Sequence, residues 1–287
     1  MSHRRGVRKG AEEPLLLPFF IDSAHSSIFR ELFYLVHAVK HMRNIKLIIE
    51  YDGAAYNGWQ RQADVLTIQQ VMEDALSRIV NDRAVLIASS RTDTGVHALN
   101  QVANFRTASQ LPLRNLHMGL NSLLPPDIVV KEMSEVPWEF HSRYHARSKI
   151  YHYRIFNGPV RTALRRGTCW FVRHPLDLEA MSRAALHLLG THDFNSFCAA
   201  QCEVEDRVRT VMDVSLDREA PGMIVFRIEA GGFLRHMVRN IVGTLVDVGK
   251  GKIPEEDMVR IIEARDRREA GQAAPARGLC LMEVKYE

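Results

Sequence analysis

Two hydrophobic periods alternate along the chain, and their order predicts the elements. Lys46-Leu-Ile-Ile-Glu-Tyr51 is a strand-like apolar run that stops at Asp52-Gly53, a turn signal. A helical stripe follows: Ile68, Val71, Met72, Ala75, Leu76, Ile79 and Val80 recur at three- and four-residue steps. Thr67 and Gln70 make a capping-box pattern at its start. Arg83–Ala88 reads as a strand, Ser89–Gly95 as the loop after it, and Val96–Phe105 as extended again. Leu113–Leu123 is predicted helical and Asp127–Glu132 a strand.

A second series then begins. Ile150–Ile155 alternates so that Tyr151, Tyr153 and Ile155 share one face. Leu178–Leu189 is predicted as a helix, capped by Asp177 and stopped by Gly190. Val211–Leu216 and Met223–Glu229 read as strands. Phe233–Val248 carries a helical stripe of Leu234, Met237, Val238, Ile241, Val242, Leu245 and Val246. Pro254 opens another helix, and Gly278–Tyr286 closes as a strand.

Each series supplies strands and two helices in a similar order, without a sequence repeat. The pattern predicts an α+β protein of two similar halves, each a largely antiparallel sheet with helices on one face, rather than a parallel dinucleotide-binding sheet. The turn after the first strand also lacks GxGxxG. The join is expected near His145–Lys149, giving an N-terminal half over 42–147 and a C-terminal half over 148–287.

Composition narrows this picture only a little. Apolar residues make up 46% and charged residues 25% of 287, as in ordinary globular proteins. A formal net charge of +4 is compatible with a polyanionic partner without requiring one. No apolar run approaches the ~20 residues of a membrane span, so a membrane location is not expected. The four cysteines show no CxxC pair, and Cys198 and Cys202 have no second such pair, so no structural zinc is expected. They read as reduced thiols of a cytoplasmic protein. Residues 1–41 read as an N-terminal extension, disordered or the product of a start placed too far upstream, because Met42 stands just ahead of the first strand. Glu12 and Glu13 argue against a transit peptide.

The informative chemistry lies in Ser90-Arg-Thr-Asp-Thr-Gly-Val-His-Ala98. An acidic residue at the end of a strand, with Arg91 before it and a permissive Gly95 after it, suits a presented reactive carboxylate. Asp-Thr-Gly also occurs in aspartic proteases, which need two carboxylates sharing a proton. One copy is present here, so a symmetric dimer would have to supply the second. The polar run before it and the adjacent arginine further weaken that reading. His141 and His145 have metal-like spacing without an HExxH glutamate, and read as facing a polyanionic partner or as structural. His97 reads as structural to the loop.

With its neighbours, this stretch resembles the RTDxGVHA motif of tRNA pseudouridine synthases of the TruA type. The likeness extends through Gln101, Val102 and Phe105. It takes in Tyr51-Asp-Gly53 with Gly58-Trp-Gln-Arg-Gln62, and Asn121, Pro125 and Asp127-Ile128. Phe140-His141 with Arg143, Ala146-Arg147, Tyr151 with Tyr153, and His192-Asp-Phe194 with Ser196-Phe197 belong to it too. So do Phe233, Met237-Val-Arg-Asn-Ile-Val-Gly243 and Gly278-Leu279. Coverage runs from about Lys46 to Tyr286. Thr94 and Tyr144 depart from the usual alanine and phenylalanine.

The resemblance implies the pseudouridine synthase fold with a basic cleft between its halves, a homodimer, no cofactor and no metal. It implies tRNA as partner, with uridines on the 3′ side of the anticodon stem-loop as targets. It makes Asp93 the catalytic aspartate, Tyr151 an active-site ring against the uracil, Arg239 the partner of the aspartate, and Arg91 the group that holds the flipped nucleotide out. Arg61, Arg143, Arg147, Lys149 and Arg235 are candidate phosphate contacts. A carboxylate can act by attacking C1′ or by removing the C2′ proton, and either role needs it ionised, which a nearby guanidinium favours. Another RNA as substrate, or a non-catalytic RNA-binding protein on the same scaffold, are the alternatives.

Overall fold

The computed structural model describes residues 42–199 and 204–287. The readings of residues 1–41 and of Cys202 lie outside them. The first strand, β1 (Arg43–Tyr51), buries Ile45, Leu47, Ile49 and Tyr51 to within 2% of complete, while the residues between them stay half-exposed. It pairs antiparallel with β3 (His97–Thr107) on one side and β4 (Ile128–Val136) on the other. Between β1 and β3 lie helix α1 (Ile68–Val80) and the short β2 (Ile87–Ala88), and helix α2 (Leu113–Leu123) precedes β4. Thr67 caps α1 by accepting from the Gln70 amide, as the capping pattern predicts. The strand expected over Arg83–Ala88 shrinks to two residues. Upstream, the Ala84 and Leu86 amides donate to the side chains of Ser77 and Glu73 on α1 instead of to a neighbouring strand.

The second series contains β5 (Ser148–Asn157), β6 (Trp170–Val172), α3 (Leu178–Leu186), β7 (Gly190–Asp193), β8 (Val208–Ala220), β9 (Met223–Ala230), α4 (Met237–Gly249), α5 (Asp257–Ala264) and β10 (Leu279–Lys285). Among the described residues all ten strands belong to one sheet, in the order β4-β1-β3-β10-β5-β9-β8-β7, with β2 on β3 and β6 on β5. The two series therefore form the two ends of a continuous, mostly antiparallel sheet. They meet where the last strand, β10, pairs in parallel with β3 through only His97 and Ala98.

Register makes one face of this sheet apolar from end to end. Leu281 stands beside both Ala98 and Tyr151, and Tyr151 beside Ile228; Leu279 stands beside Tyr153, and Tyr153 beside Phe226. Directly paired residues share a face, and these belong to the same buried cluster as Met72 and Leu76 of α1, Leu120 of α2, Met181 of α3 and Ile241 and Leu245 of α4. The helices cover that face, which confirms the predicted α+β class. The opposite face is sealed only locally, where Cys169, Met223 and Val225 pack under Phe156. Among the described residues no helix is long and apolar enough to cross a membrane.

Candidate active site

Asp93 lies on the loop between β2 and β3, close to where the two ends of the sheet meet. The loop is held on both flanks and from beneath. Ser89 donates its amide to Val102 and its hydroxyl to Gln101, and the Gln101 amide side chain donates to the Ser90 carbonyl. Under the aspartate, the Tyr51 and Thr92 hydroxyls share a 2.8 Å hydrogen bond, and Trp59 donates its amide to the Thr92 carbonyl at 3.1 Å. Gly58 brings that chain close enough: its φ is +81°, and a Cβ there would stand 2.6 Å from the Thr92 carbonyl oxygen. Gly95, at φ +77°, turns the loop into β3 as its position in the motif suggests. His97, at the loop's end, accepts from the Gly53 amide at Nδ1, where Asp52 also approaches to 3.0 Å, and its Nε2 bonds the Gly167 carbonyl. That network is structural, as the sequence suggests.

Two side chains reach this carboxylate, and a third feels its charge. Arg239, two residues into α4, reaches Oδ2 with Nη1 at 3.4 Å. Its Nε donates to the Ala274 carbonyl at 2.8 Å, and the Ala274 amide donates back to the Arg239 carbonyl, so the guanidinium is held at both ends. The side chains are 17% and 23% exposed, which leaves the pair partly desolvated yet open to a substrate. Arg239 is thus tied into the site rather than lying on a solvated helix edge. His236, the residue that leads into α4, places Nε2 3.6 Å from the same oxygen. The N-terminal end of α4, where partial positive charge gathers, thus sends both side chains to the carboxylate. Tyr151 on β5 is buried nearby, its ring meeting Phe233 edge-on at 5.0 Å and its hydroxyl feeling the Asp93 charge. Burial, with the Asp93 charge adding to it, pushes the phenol well above its ordinary range, so Tyr151 stays neutral.

The other residues singled out in the sequence are distributed around this centre. Arg91 is exposed, two positions before Asp93. Arg235 is exposed one residue before His236. Arg143 and Arg147 are exposed between the Phe140 turn and β5, with Arg143 over the Tyr144 ring. Burial lowers the affinity of Lys149 for its proton, and Arg143 and Arg209 lower it further. Arg61 is already engaged: it bonds Glu73 at 2.8 Å and Asp74 at 2.7 Å on α1. His141 accepts the Arg143 and Tyr144 amides at Nδ1, a local turn.

Sequence reasoning passed over His236, Ser90 and Phe233 as site residues. His236 sits in a run whose apolar stripe reads as continuous helix from Phe233. The helix starts only at Met237, because His236 takes left-handed backbone angles, φ 62° and ψ 3°. Among the described residues no three His, Cys, Asp or Glu side chains gather as metal ligands would.

Comparison with known proteins places the chain in a family. Residues 47–145 and 184–287 match the model of a family described as tRNA pseudouridine synthase. A protein of Acetivibrio thermocellus named tRNA pseudouridine synthase A is 50% identical over 245 residues, covering 85% of this chain and all of the relative. Relatives of the same name from Thermoanaerobacter sp. and Halalkalibacterium halodurans are 44% and 47% identical, covering 85% and 83% of this chain and 100% and 90% of their own lengths.

Proposed function

Because the chain belongs to the tRNA pseudouridine synthase family, we propose that it isomerises uridines on the 3′ side of the tRNA anticodon stem-loop, with Asp93 as the catalytic carboxylate. The enzyme is an isomerase acting on tRNA. The observation that carries the assignment of Asp93 is its pairing with Arg239: a carboxylate on a fixed loop, partly shielded from water, with a cation locked beside it.

The reaction breaks the bond between C1′ and N1 of uracil, turns the base, joins C1′ to C5, and moves a proton from C5 to solvent while N1 gains one. No net oxidation occurs. The Asp93 carboxylate begins it, by attack on C1′ or by taking the C2′ proton to leave a glycal. Arg239 and the α4 dipole stabilise its charge. The neutral Tyr151 ring offers the uracil a stacking surface while the base turns. A uridine in a stem must first be flipped out, which costs a few kcal/mol, and the exposed Arg91 guanidinium can fill the gap and hold phosphate. Arg143, Arg147, Lys149 and Arg235 give the backbone positive contacts. Arg61, held by two carboxylates, is the weakest of these contacts. Homodimerisation and a cytoplasmic location belong to the same reading.

The test is direct. Unmodified tRNA incubated with the purified protein and mapped for pseudouridine should gain it on the 3′ side of the anticodon stem-loop, and tRNA from cells lacking the gene should miss it there. Modification confined to another stem, or to another RNA, would refute the substrate assignment.

A further inference from the structure

We propose that His236 is the base that removes the C5 hydrogen of uracil as a proton, after the new carbon–carbon bond has formed. The proposal rests on the function given above and concerns its last chemical step. At that stage C5 is bonded to C1′, C4 and C6, and still carries its hydrogen. The C5–H electron pair must become the C5=C6 double bond. The C6=N1 pair then takes a proton at N1, and the C5 proton must go to a base.

Geometry limits the choice of that base. C5 is then joined to the carbon at or beside which Asp93 has acted, so the base must lie within a few ångströms of the Asp93 carboxylate. Among the described residues, Arg239 and His236 lie within 4 Å of it, and Tyr151 feels its charge. Arg239 has no lone pair to offer, and both its Nε and its Nη1 are engaged. Tyr151 is buried, and burial keeps it a neutral phenol without a basic oxygen. His236 stands with Nε2 3.6 Å from Asp93 Oδ2 and about a third of its side chain exposed. That distance is too long to fix a proton between them, and no other hydrogen bond engages the ring among the described residues.

The surroundings keep the imidazole in its basic form. Burial acts first, and Arg239 and Arg235 on the same helix and its lead-in, together with Arg267 after α5, repel a proton; only Asp93 on the facing loop favours one. While Asp93 is esterified or protonated during turnover, that one favourable charge is absent, and it returns as the carboxylate is released. The imidazolium therefore gains its counter-ion at the step that creates it. His236 also holds a left-handed backbone conformation that is strained for a non-glycine residue, a strain found at functional positions.

The experiment uses the full chain, its His236→Gln and His236→Ala variants, and tRNA labelled at C5 of uridine with tritium or deuterium. Both variants should bind tRNA like the wild type and release tritium on the order of 100-fold more slowly, the usual contribution of a positioned base. Deuterium at C5 should slow release more in the variants than in the wild type, because C5–H cleavage now limits the rate. Added imidazole should partly restore His236→Ala. Release at the wild-type rate would overturn the proposal. So would slow release without an increased isotope effect, as expected if His236 only supported Asp93, or loss of tRNA binding in both variants. An active Asp93→Asn control would instead strike at the proposed function itself.

Discussion

The guanidinium of Arg239 and the carboxylate of Asp93, 146 positions apart in the chain, meet at 3.4 Å beside the junction of the two ends of the sheet. One arginine both anchors itself to the Ala274 carbonyl and faces the carboxylate. Lysine has a single point of charge and cannot serve both contacts. For a partly buried pair, losing the cation should cost about 2–4 kcal/mol of transition-state stabilisation. Arg239→Met should therefore lower kcat on the order of 100-fold or more with tRNA affinity little changed, and Arg239→Lys should fall between. Single-turnover pseudouridine formation measures both, and an Arg239→Met enzyme with an unchanged kcat would remove Arg239 from the mechanism.

Gly58 offers a second test, because its role is only to let one backbone approach another. With φ at +81° and the Thr92 carbonyl 2.6 Å from where a Cβ would stand, Gly58→Ala must push the loop that carries Asp93 outward. Stability should fall by about 1–3 kcal/mol, and turnover should fall by more than that loss explains. Denaturant midpoints and kcat, measured together, check the pair of effects. An alanine variant with full activity would mean the loop tolerates displacement.

Much of this was legible in the sequence, and what was not has identifiable causes. The span Leu113–Leu123 and the caps Thr67 and Asp177 depend on local spacing and are found as predicted. The strands β6 and β7, three and four residues long, are too short to carry a period. The helix expected from Phe233 begins at Met237, because a single left-handed residue breaks it without changing the apolar stripe. The insertion of β10 between β3 and β5 is a long-range choice that local pattern does not encode. The Asp93 motif could be read at once, whereas His236 could be recognised only when the fold brought α4 to the loop.

Affinity for tRNA should fall steeply with salt, since phosphate contacts release counterions, with a log–log slope of about 0.7–0.9 per phosphate neutralised. Replacing both Arg143 and Arg147, which are exposed, should reduce that slope. Replacing Arg61, which is held by Glu73 and Asp74, should reduce it least. Filter binding across a salt series distinguishes them, and an affinity indifferent to salt would contradict the electrostatic part of the account.

Acid stability follows from three histidines. Burial, the largest cause in each, lowers the proton affinity of His141, His152 and His236 below the ordinary value of 6.5. The unfolded chain then takes up protons that the folded protein refuses. The stability these groups contribute is fully present above about pH 6.5 and is lost as pH falls through their lowered folded values. Glu229, lowered by its bond from Ser148 and then by Lys285, adds a loss only below its ordinary 4.5. Thermal midpoints should therefore decline just below neutrality, before carboxylates titrate, and His152→Phe should flatten part of that decline. Constant stability across this range would contradict the assignment.

The most direct test of the central claim is tritium release from tRNA labelled at C5 of uridine by the Asp93→Asn protein. Asparagine keeps the shape of the side chain and removes its charge, so the folded loop and the tRNA contacts should survive while the first chemical step cannot occur. The account predicts tRNA binding close to wild type and no release above background. Release at the wild-type rate would show that Asp93 is not the catalytic carboxylate.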